Sequence, residues 1–238
     1  MSAGYKTIPS APFHLPGSAL KLTACAAMLA DHAAKVFLSP SSPAYLILSG
    51  LVGRIAFPVF AFLLVEGFLH TRSRPRYALN LLLFALAAEI PFDLALYKRP
   101  FFWLHQNTLF TLFLALLMLI LLDTASTRLS SQTALLAARI IIITAFALAA
   151  WMLHTDYDAL GIGAVAAMYL LWGFGIMAPG MGCLVLDLAT FSNAGAFLAL
   201  LPIACYSGKR GPGPKYLFYL FYPAHLLALY ALSVLGNI

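Results

Sequence analysis

One histidine inside the first long apolar stretch of the chain is the clearest candidate for acid–base chemistry. Asp31 and His32 interrupt the apolar residues that run from Leu20 to Leu38. A neutral imidazole can accept a proton from an attacking amine or hydroxyl, and it can also carry an acyl group as a nucleophile. The alternative is a buried histidine bonded to a backbone carbonyl. Because an ionisable group in hydrocarbon costs about 2.5–3.5 kcal/mol, we expect His32 to be functional.

Two carboxylates near the end of the third apolar stretch are candidates for orienting that imidazole. Glu89 and Asp93 are four residues apart, so they share a helix face, and Pro91 between them should kink the helix. The side chain of Asp31 points about 100° away from that of His32, because the two residues are adjacent on a helix. The spacing therefore favours Glu89 or Asp93 over Asp31 as the partner of His32.

Two further polar side chains could hold the acceptor or the oxyanion of a transfer reaction. Arg54 lies near the start of the second apolar stretch, and its alternative role is an ion pair that links helices. Asn107 precedes the fourth stretch, where it could equally cap a helix. Glu66, at the opposite end of the second stretch, is expected to neutralise Arg72 or Arg74.

Polar residues that flank the later apolar stretches are candidates for binding the acceptor. His105 and Gln106 precede the fourth stretch, and Asp156 precedes the sixth. Histidines and carboxylates together could suggest zinc, but the chain has no HExxH or similar ligand spacing, so no metal is predicted.

Basic residues between apolar stretches could bind the phosphates of coenzyme A. They are Arg72, Arg74, Arg76, Lys209, Arg210 and Lys215. The alternative is the excess of Lys and Arg that cytoplasmic loops of membrane proteins carry. Tyr222 and His225 lie deeper in the last apolar stretch beside Pro223, and we expect them to line a cofactor tunnel. An aromatic belt at the membrane interface is the alternative for the tyrosine.

The elements that must position these residues are membrane helices. The chain has 238 residues, of which 63% are hydrophobic and 9% charged, and its mean hydropathy is +0.92. Soluble domains are about a quarter charged. Apolar runs predict an all-α polytopic transmembrane bundle of about nine spans, with eight to ten as the range. They are residues 19–38, 45–69, 77–97, 108–123, 134–152, 159–175, 178–190, 193–206 and 216–235.

The distribution of charge predicts the orientation of this bundle. The net charge is +6, and nine spans place most basic loops on one side, which should be the cytoplasm. The prediction is a short cytoplasmic N-terminal segment, residues 1–18, followed by one transmembrane domain, residues 19–238. It places His32 and its candidate partners in the outer half of the bilayer. No basic folded module is present, so nucleic acid is not an expected partner, and the three scattered cysteines are read as packing groups.

Several motifs, taken in order, resemble those of the TraX family. They are LADHAAKVF (29–37), GRIAFPVFAFLLVEGF (53–68), EIPFD (89–93), QNTLFTL (106–112) and KYLFYLFYPAHLLALY (215–230). TraX is associated with N-terminal acetylation of conjugative pilin, and the family is similar to transmembrane acyltransferases that include heparan-alpha-glucosaminide acetyltransferase. The resemblance implies acetyl-CoA as donor, His32 as the catalytic centre, and a location in the bacterial inner membrane.

The leading hypothesis is therefore a membrane-embedded acetyltransferase. It would move an acetyl group from cytoplasmic acetyl-CoA to an amine or hydroxyl, on a pilin or an envelope glycan, outside the membrane. His32 would act as general base or acyl carrier. A proton-coupled transporter that uses the same buried acid–histidine set is the alternative, and a non-enzymatic assembly factor is a third interpretation.

Overall fold

Within residues 14–188, 194–213 and 215–236, which the computed structural model describes, the chain forms nine helical segments and no strand. The described side chains exclude those of residues 194, 215 and 216, and residues 1–13 of the predicted N-terminal segment lie outside the described part. The segments are α1 Gly17–Phe37, α2 Pro43–His70, α3 Arg74–Tyr97, α4 Thr108–Arg128, α5 Gln132–Met152, α6 Asp158–Leu170, α7 Met177–Asp187, α8 Leu200–Ala204, which a 3₁₀ turn Ala194–Ala199 precedes, and α9 Lys215–Leu235. The prediction of an all-helical membrane protein is confirmed.

Five of these helices are long and apolar enough to cross a membrane. They are α2, α3, α4, α5 and α9. Helix α1 has 21 residues, but its charged and polar positions keep it outside this set. The helices in the predicted sixth, seventh and eighth spans are short. Helix α6, for example, has 13 residues, or about 20 Å at 1.5 Å per residue, against a hydrocarbon core of about 30 Å. The structure therefore supports fewer spans than the nine predicted.

The core lies where α2, α4 and α6 meet. Helix α1 packs against α2 and α9, and α9 packs against α3. Successive helices from α3 to α7 are neighbours, and α6 also contacts α2 and α4. Among the largest fully buried side chains of this core are Phe57, Phe62, Phe68, Leu116, Met118, Leu119, Ile162 and Met168. Helix α5 lies at the periphery, since Ala150 is its one buried residue.

Helix α2 is not a uniform α-helix. A π-helical stretch, Leu46–Val52, and a 3₁₀ turn, Gly53–Ile55, precede its regular part, Ala56–His70. Such irregular turns widen or tighten the backbone and change the direction of the side chains they carry. Here the π-helical stretch packs on α1. A Cβ atom at Gly53 would lie 2.6 Å from Cβ of Asp31, so only glycine permits this close approach.

The start of α1 is tied to the segment that precedes α9. Leu15 donates its N–H to the Cys205 carbonyl at 2.7 Å and accepts from Ser207 N–H at 2.9 Å. The N–H groups of Gly17 and Ser18 then donate to carbonyls of residues 209 and 210, at 2.7 and 3.0 Å. Because the first amides of a helix have no intrahelical acceptor, these bonds satisfy the N-terminus of α1 and fix it beside this loop.

Candidate functional site

A pair of buried histidines joins α1 to α9. Nδ1 of His32 lies 2.8 Å from Nε2 of His225, and the two rings stack with centroids 5.1 Å apart. The side chains are almost fully enclosed, with exposed fractions of 3% for His32 and 6% for His225. Nδ1 of His225 in turn lies 2.8 Å from the Phe221 carbonyl oxygen, one helical turn earlier.

These contacts determine where the protons lie when both rings are neutral. A carbonyl oxygen can only accept, so Nδ1 of His225 carries the proton that is donated to Phe221. Nε2 of His225 then has a lone pair and accepts from Nδ1–H of His32. Neutral imidazole has only one N–H, so Nε2 of His32 keeps a free lone pair. The arrangement thus presents His32 as a base through one defined nitrogen.

The carboxylate of Asp31 lies beside that nitrogen. Its Oδ2 atom is 4.0 Å from Nε2 of His32 and 2.8 Å from Nζ of Lys35. Its Oδ1 atom accepts a 2.5 Å hydrogen bond from the hydroxyl of Ser49, which the π-helical stretch of α2 carries. The ion pair of Asp31 and Lys35 therefore lies beside the nitrogen of His32 that carries the free lone pair.

Apolar rings enclose the rest of the imidazole. Phe92 of α3 meets the His32 ring edge to face with centroids 6.4 Å apart, and Tyr222 of α9 does so at 6.0 Å. Both rings are buried. Tyr222 and His225, predicted to line a cofactor tunnel, are therefore in direct contact with the candidate base.

The structure places His225, rather than Glu89 or Asp93, against the His32 ring. Glu89 Oε2 accepts from both the backbone N–H and the side-chain amide of Asn107, at 3.1 and 2.5 Å. Asp93 Oδ2 accepts from the Phe102 N–H at 2.7 Å. The two carboxylates thus hold the connection between α3 and α4, and the prediction that one of them orients His32 is wrong.

Asn107 is a helix cap in this structure. Its Oδ1 atom accepts from the Leu109 N–H at 3.0 Å, which is the N-cap bond of α4. Its amide nitrogen donates to the Ala85 carbonyl at 2.8 Å as well as to Glu89. Both side-chain N–H groups are therefore used, and the prediction that Asn107 holds an oxyanion is not supported by the geometry.

Arg54 lies in the 3₁₀ turn of α2. It is next to the hydroxyl of Tyr157, whose ring stacks on Phe57 with centroids 3.8 Å apart. Lys35, and not Arg54, is the cation that pairs with Asp31. The Nε–H of Arg54 is buried and has no hydrogen-bond partner within the described ranges. A buried guanidinium N–H of this kind can donate a hydrogen bond to a negatively charged oxygen.

A histidine–carboxylate pair, His105 and Asp156, lies in the connections between helices at the same end of the bundle. Nε2 of His105 is 3.1 Å from Oδ1 of Asp156, and the Thr108 hydroxyl donates to the other oxygen. Burial opposes ionisation, but the bonds from His105 and Thr108 and the charge of Lys35 together lower the pKa of Asp156 below its ordinary value. The carboxylate is therefore negatively charged at neutral pH.

The ring of Phe92 connects the His105–Asp156 pair with the His32–His225 pair. The His105 ring stacks on Phe92 with centroids 5.9 Å apart, while His32 meets the same ring edge to face. Gln106, the third predicted acceptor-binding residue, donates its backbone N–H to the His154 carbonyl and its side-chain amide to the Trp103 carbonyl. It thus joins two connections within the structure.

The predicted phosphate-binding residues have different positions. Arg74 forms an ion pair with Asp123 at 2.5 Å and lies 4.3 Å from the centroid of the Phe68 ring, so it links the start of α3 to the end of α4. The exposed residues are Arg72, Arg76, Lys209 and Arg210. The side chain of Lys215 lies outside the described part.

The sequence predicted that Glu66 pairs with Arg72 or Arg74. In the structure Glu66 has other partners. Its Oε1 atom accepts from the Tyr206 hydroxyl at 3.0 Å, and His70 is 3.7 Å away. Arg74 is taken by Asp123 instead, because the turn between α2 and α3 directs its side chain to the end of α4.

The sequence did not identify Lys35 and Ser49 as residues of the site, and it did not predict the partner of His225. The spacing of Asp31 and Lys35 is that of a helical ion pair, so this contact was available as a signal. Ser49 gave none, since its position depends on the π-helical stretch. His225 was noticed, but its pairing with a residue 193 positions earlier follows only from the packing of α1 on α9.

Comparisons with known proteins agree on the kind of chain. A family model described as TraX protein matches residues 16–233, a range that contains all the contacts of the histidine pairs. A probable fimbrial assembly protein, FimC of serogroup H1 from Dichelobacter nodosus, is 35% identical over 237 residues, which cover 88% of this chain and 92% of that protein. No solved structure matches the chain.

Proposed function

Because the chain belongs to the TraX family, we propose that it is a membrane-embedded acetyltransferase. The donor is cytoplasmic acetyl-CoA, and the acceptor is an amine or hydroxyl at the outer side of the bacterial inner membrane. The related D. nodosus protein is named for fimbrial assembly, which favours the N-terminal amine of a pilin over an envelope glycan. The observation that carries the proposal is the free lone pair on Nε2 of buried His32.

The proposed reaction needs one proton acceptor and one site for negative charge. The acceptor amine or hydroxyl attacks the thioester carbonyl while Nε2 of His32 removes its proton. The carbonyl oxygen becomes an oxyanion, which the buried Nε–H of Arg54 is available to receive. The carbon–sulfur bond then breaks, and the proton passes from the imidazolium to the thiolate, which leaves as coenzyme A.

The same lone pair supports either of two uses of His32. As a base it acts in one step, and as an acyl carrier it would first form an acetyl-imidazole. In both cases the positive charge on the imidazole would develop beside the ion pair of Asp31 and Lys35. We favour the base, since the thioester is already activated and the protein has mainly to position the acceptor and remove its proton.

The arrangement of helices supports an N-terminus in the cytoplasm. The turns between α2 and α3 and between α4 and α5, together with the segment before α9, lie at the end where α1 begins. Exposed basic residues of this end are Arg72, Arg76, Arg128, Lys209 and Arg210. An excess of basic residues is typical of cytoplasmic loops, which supports a cytoplasmic position for this end and an outer position for the two histidine-containing pairs.

The test is acetyl transfer by the purified protein in detergent or nanodiscs. Labelled acetyl-CoA and a pilin N-terminal peptide are the substrates, and His32→Ala should reduce transfer to background while the melting temperature shows a folded protein. His70→Ala is the matched control, because this histidine is 61% exposed and bonds a backbone carbonyl at the other end of α2. Full activity in folded His32→Ala would reject the mechanism.

The same preparation separates the competing interpretation. Acetyl-CoA should raise the melting temperature of the wild type, as any ligand that binds the native state does. Proton movement in liposomes, with neither acetyl transfer nor this stabilisation, would instead favour a transporter.

A further inference from the structure

A basic recess opens where α1 begins. It is open to solvent, encloses a volume of about 10 Å³, and lies between the first turns of α1, the loop at residues 210–213 and the first turn of α9. The cationic side chains that line it are Lys21 and Arg210, and Ser18 adds a hydroxyl. An enclosed volume of this size holds about one water molecule, so a phosphate group would lie at the open mouth of the recess, between these side chains.

The backbone holds this recess in shape. Bonds from Gly17 and Ser18 N–H to the carbonyls of Lys209 and Arg210 fix the basic loop beside α1. Gly211 has a φ of +74°, and a Cβ atom there would lie 2.7 Å from Cβ of Pro16, so glycine is required for this turn. Nζ of Lys21 lies 5.2 Å from the centroid of the Phe218 ring, which joins α1 to α9.

The recess and the histidine pair lie on the same contact line between two helices. On α1 the residues of one face, spaced by four, three and four positions, are Lys21, Cys25, Met28 and His32. On α9 the corresponding residues are Phe218, Tyr222 and His225. Lys21 meets Phe218 at one end and His32 meets His225 at the other. The eleven residues from Lys21 to His32 span about 17 Å of helix.

We propose that this recess binds the phosphate groups at the nucleotide end of the acyl donor. The inference rests on the proposed function and specifies which basic residues serve it. Lys21 and Arg210 supply the two cations, since a guanidinium binds phosphate through two N–H groups and an ammonium binds it as a point charge. The pantetheine arm then follows the contact between α1 and α9, whose packed side chains must move apart to admit it, and this path directs its thioester to His32. Arg74 is excluded because Asp123 neutralises it.

The first test is a comparison of donors. Lys21→Gln and Arg210→Gln should each raise KM for acetyl-CoA about tenfold, as expected for the loss of one charge-assisted contact, with little change in kcat. KM for S-acetylpantetheine, which has no nucleotide, should stay the same. Arg128→Gln is the matched control, because this residue is exposed and basic at the same end of the bundle but lies outside the recess. An unchanged KM for acetyl-CoA in both recess variants would overturn the proposal while the enzyme remained an acetyltransferase.

The second test does not use activity and distinguishes two sources of phosphate. Coenzyme A should raise the melting temperature of the wild type in phosphatidylcholine nanodiscs, and this shift should disappear in the two recess variants. If the variants keep the shift with coenzyme A but lose a stabilisation by phosphatidylglycerol, the recess holds a lipid headgroup and the proposal is rejected. A wild type that neither binds coenzyme A nor transfers acetyl groups would refute the proposed function itself, and this inference with it.

Discussion

The pairing of two imidazoles gives His32 a defined direction as a base. A carboxylate on Nδ1 would have fixed the same tautomer with a negative charge, whereas His225 does so as a neutral acceptor anchored to the Phe221 carbonyl. The only carboxylate at the ring is Asp31 among the described contacts, on the side of the reactive nitrogen. In the proposed reaction, His225 therefore acts through His32, as a positioning residue.

Replacement of His225 tests this role. His225→Ala leaves Nδ1–H of His32 without its acceptor, so the ring can adopt the other tautomer and acetyl transfer should fall about tenfold to a hundredfold. The buried unpaired donor should also cost about 1–3 kcal/mol of unfolding free energy. His225→Gln offers an amide oxygen at this position and should restore part of the rate. Initial rates and the pH profile of transfer measure both effects.

Equal activity in the alanine and glutamine variants, with an unchanged pH profile, would contradict this assignment. It would show that the 2.8 Å contact serves only the packing of α1 on α9.

At the scale of the helices, apolar runs predicted where the segments lie but not how long all of them are. The predicted sixth span, residues 159–175, ends as an α-helix at Leu170, because a 3₁₀ turn at Trp172–Phe174 and Gly175 with a φ of +63° follow. A short buried helix and a segment of a membrane-spanning helix have the same hydrophobic composition, so composition alone does not give the length of the helix. The π-helical stretch of α2 has no signature in composition either.

The start of α4 provides a test at this scale. Asn107→Ala removes the cap of α4, worth about 0.5–2 kcal/mol, together with the side-chain bonds to the Ala85 carbonyl and Glu89, while the backbone N–H of residue 107 still donates to Glu89. The unfolding free energy in detergent should therefore fall by about 2–4 kcal/mol in total. A loss of kcat at unchanged stability would instead favour the oxyanion role that the sequence suggested. Ser131→Ala, which removes the cap of peripheral α5, is the control and should cost only the cap.

For the whole molecule, the sequence predicted which residues gather but not which of them touch. The sequence predicted one depth in the membrane for Asp31, His32, Arg54 and the acidic and histidine residues of later segments. The helices that contain these residues contact one another. The individual partners depend on side-chain directions across helices that are far apart in sequence. Hence Glu89, Asp93 and Asn107 were given catalytic roles, whereas the structure uses them to hold the α3–α4 connection.

The connections at this end predict how stability depends on pH. The pKa of Asp156 is lower in the folded protein than its ordinary value of 3.8, so its contribution is present above about pH 4 and is lost as the pH falls through the folded pKa. Asp156→Asn should therefore melt at a lower temperature than the wild type at neutral pH. The difference should shrink below about pH 4, and melting curves between about pH 3 and pH 7 would show it. A difference that is constant across this range would mean that the charge of Asp156 contributes nothing.

The contact between His32 and His225 has a consequence for biogenesis. The two residues are 193 positions apart, so the ribosome adds all the helices from α2 to α8 after His32 before the second imidazole exists. A nascent or prematurely terminated chain can insert its early helices, yet it holds an imidazole whose tautomer nothing has set. Under the proposed function, products that end before α9 would therefore be inactive, because the His32–His225 contact forms only when α9 has been made.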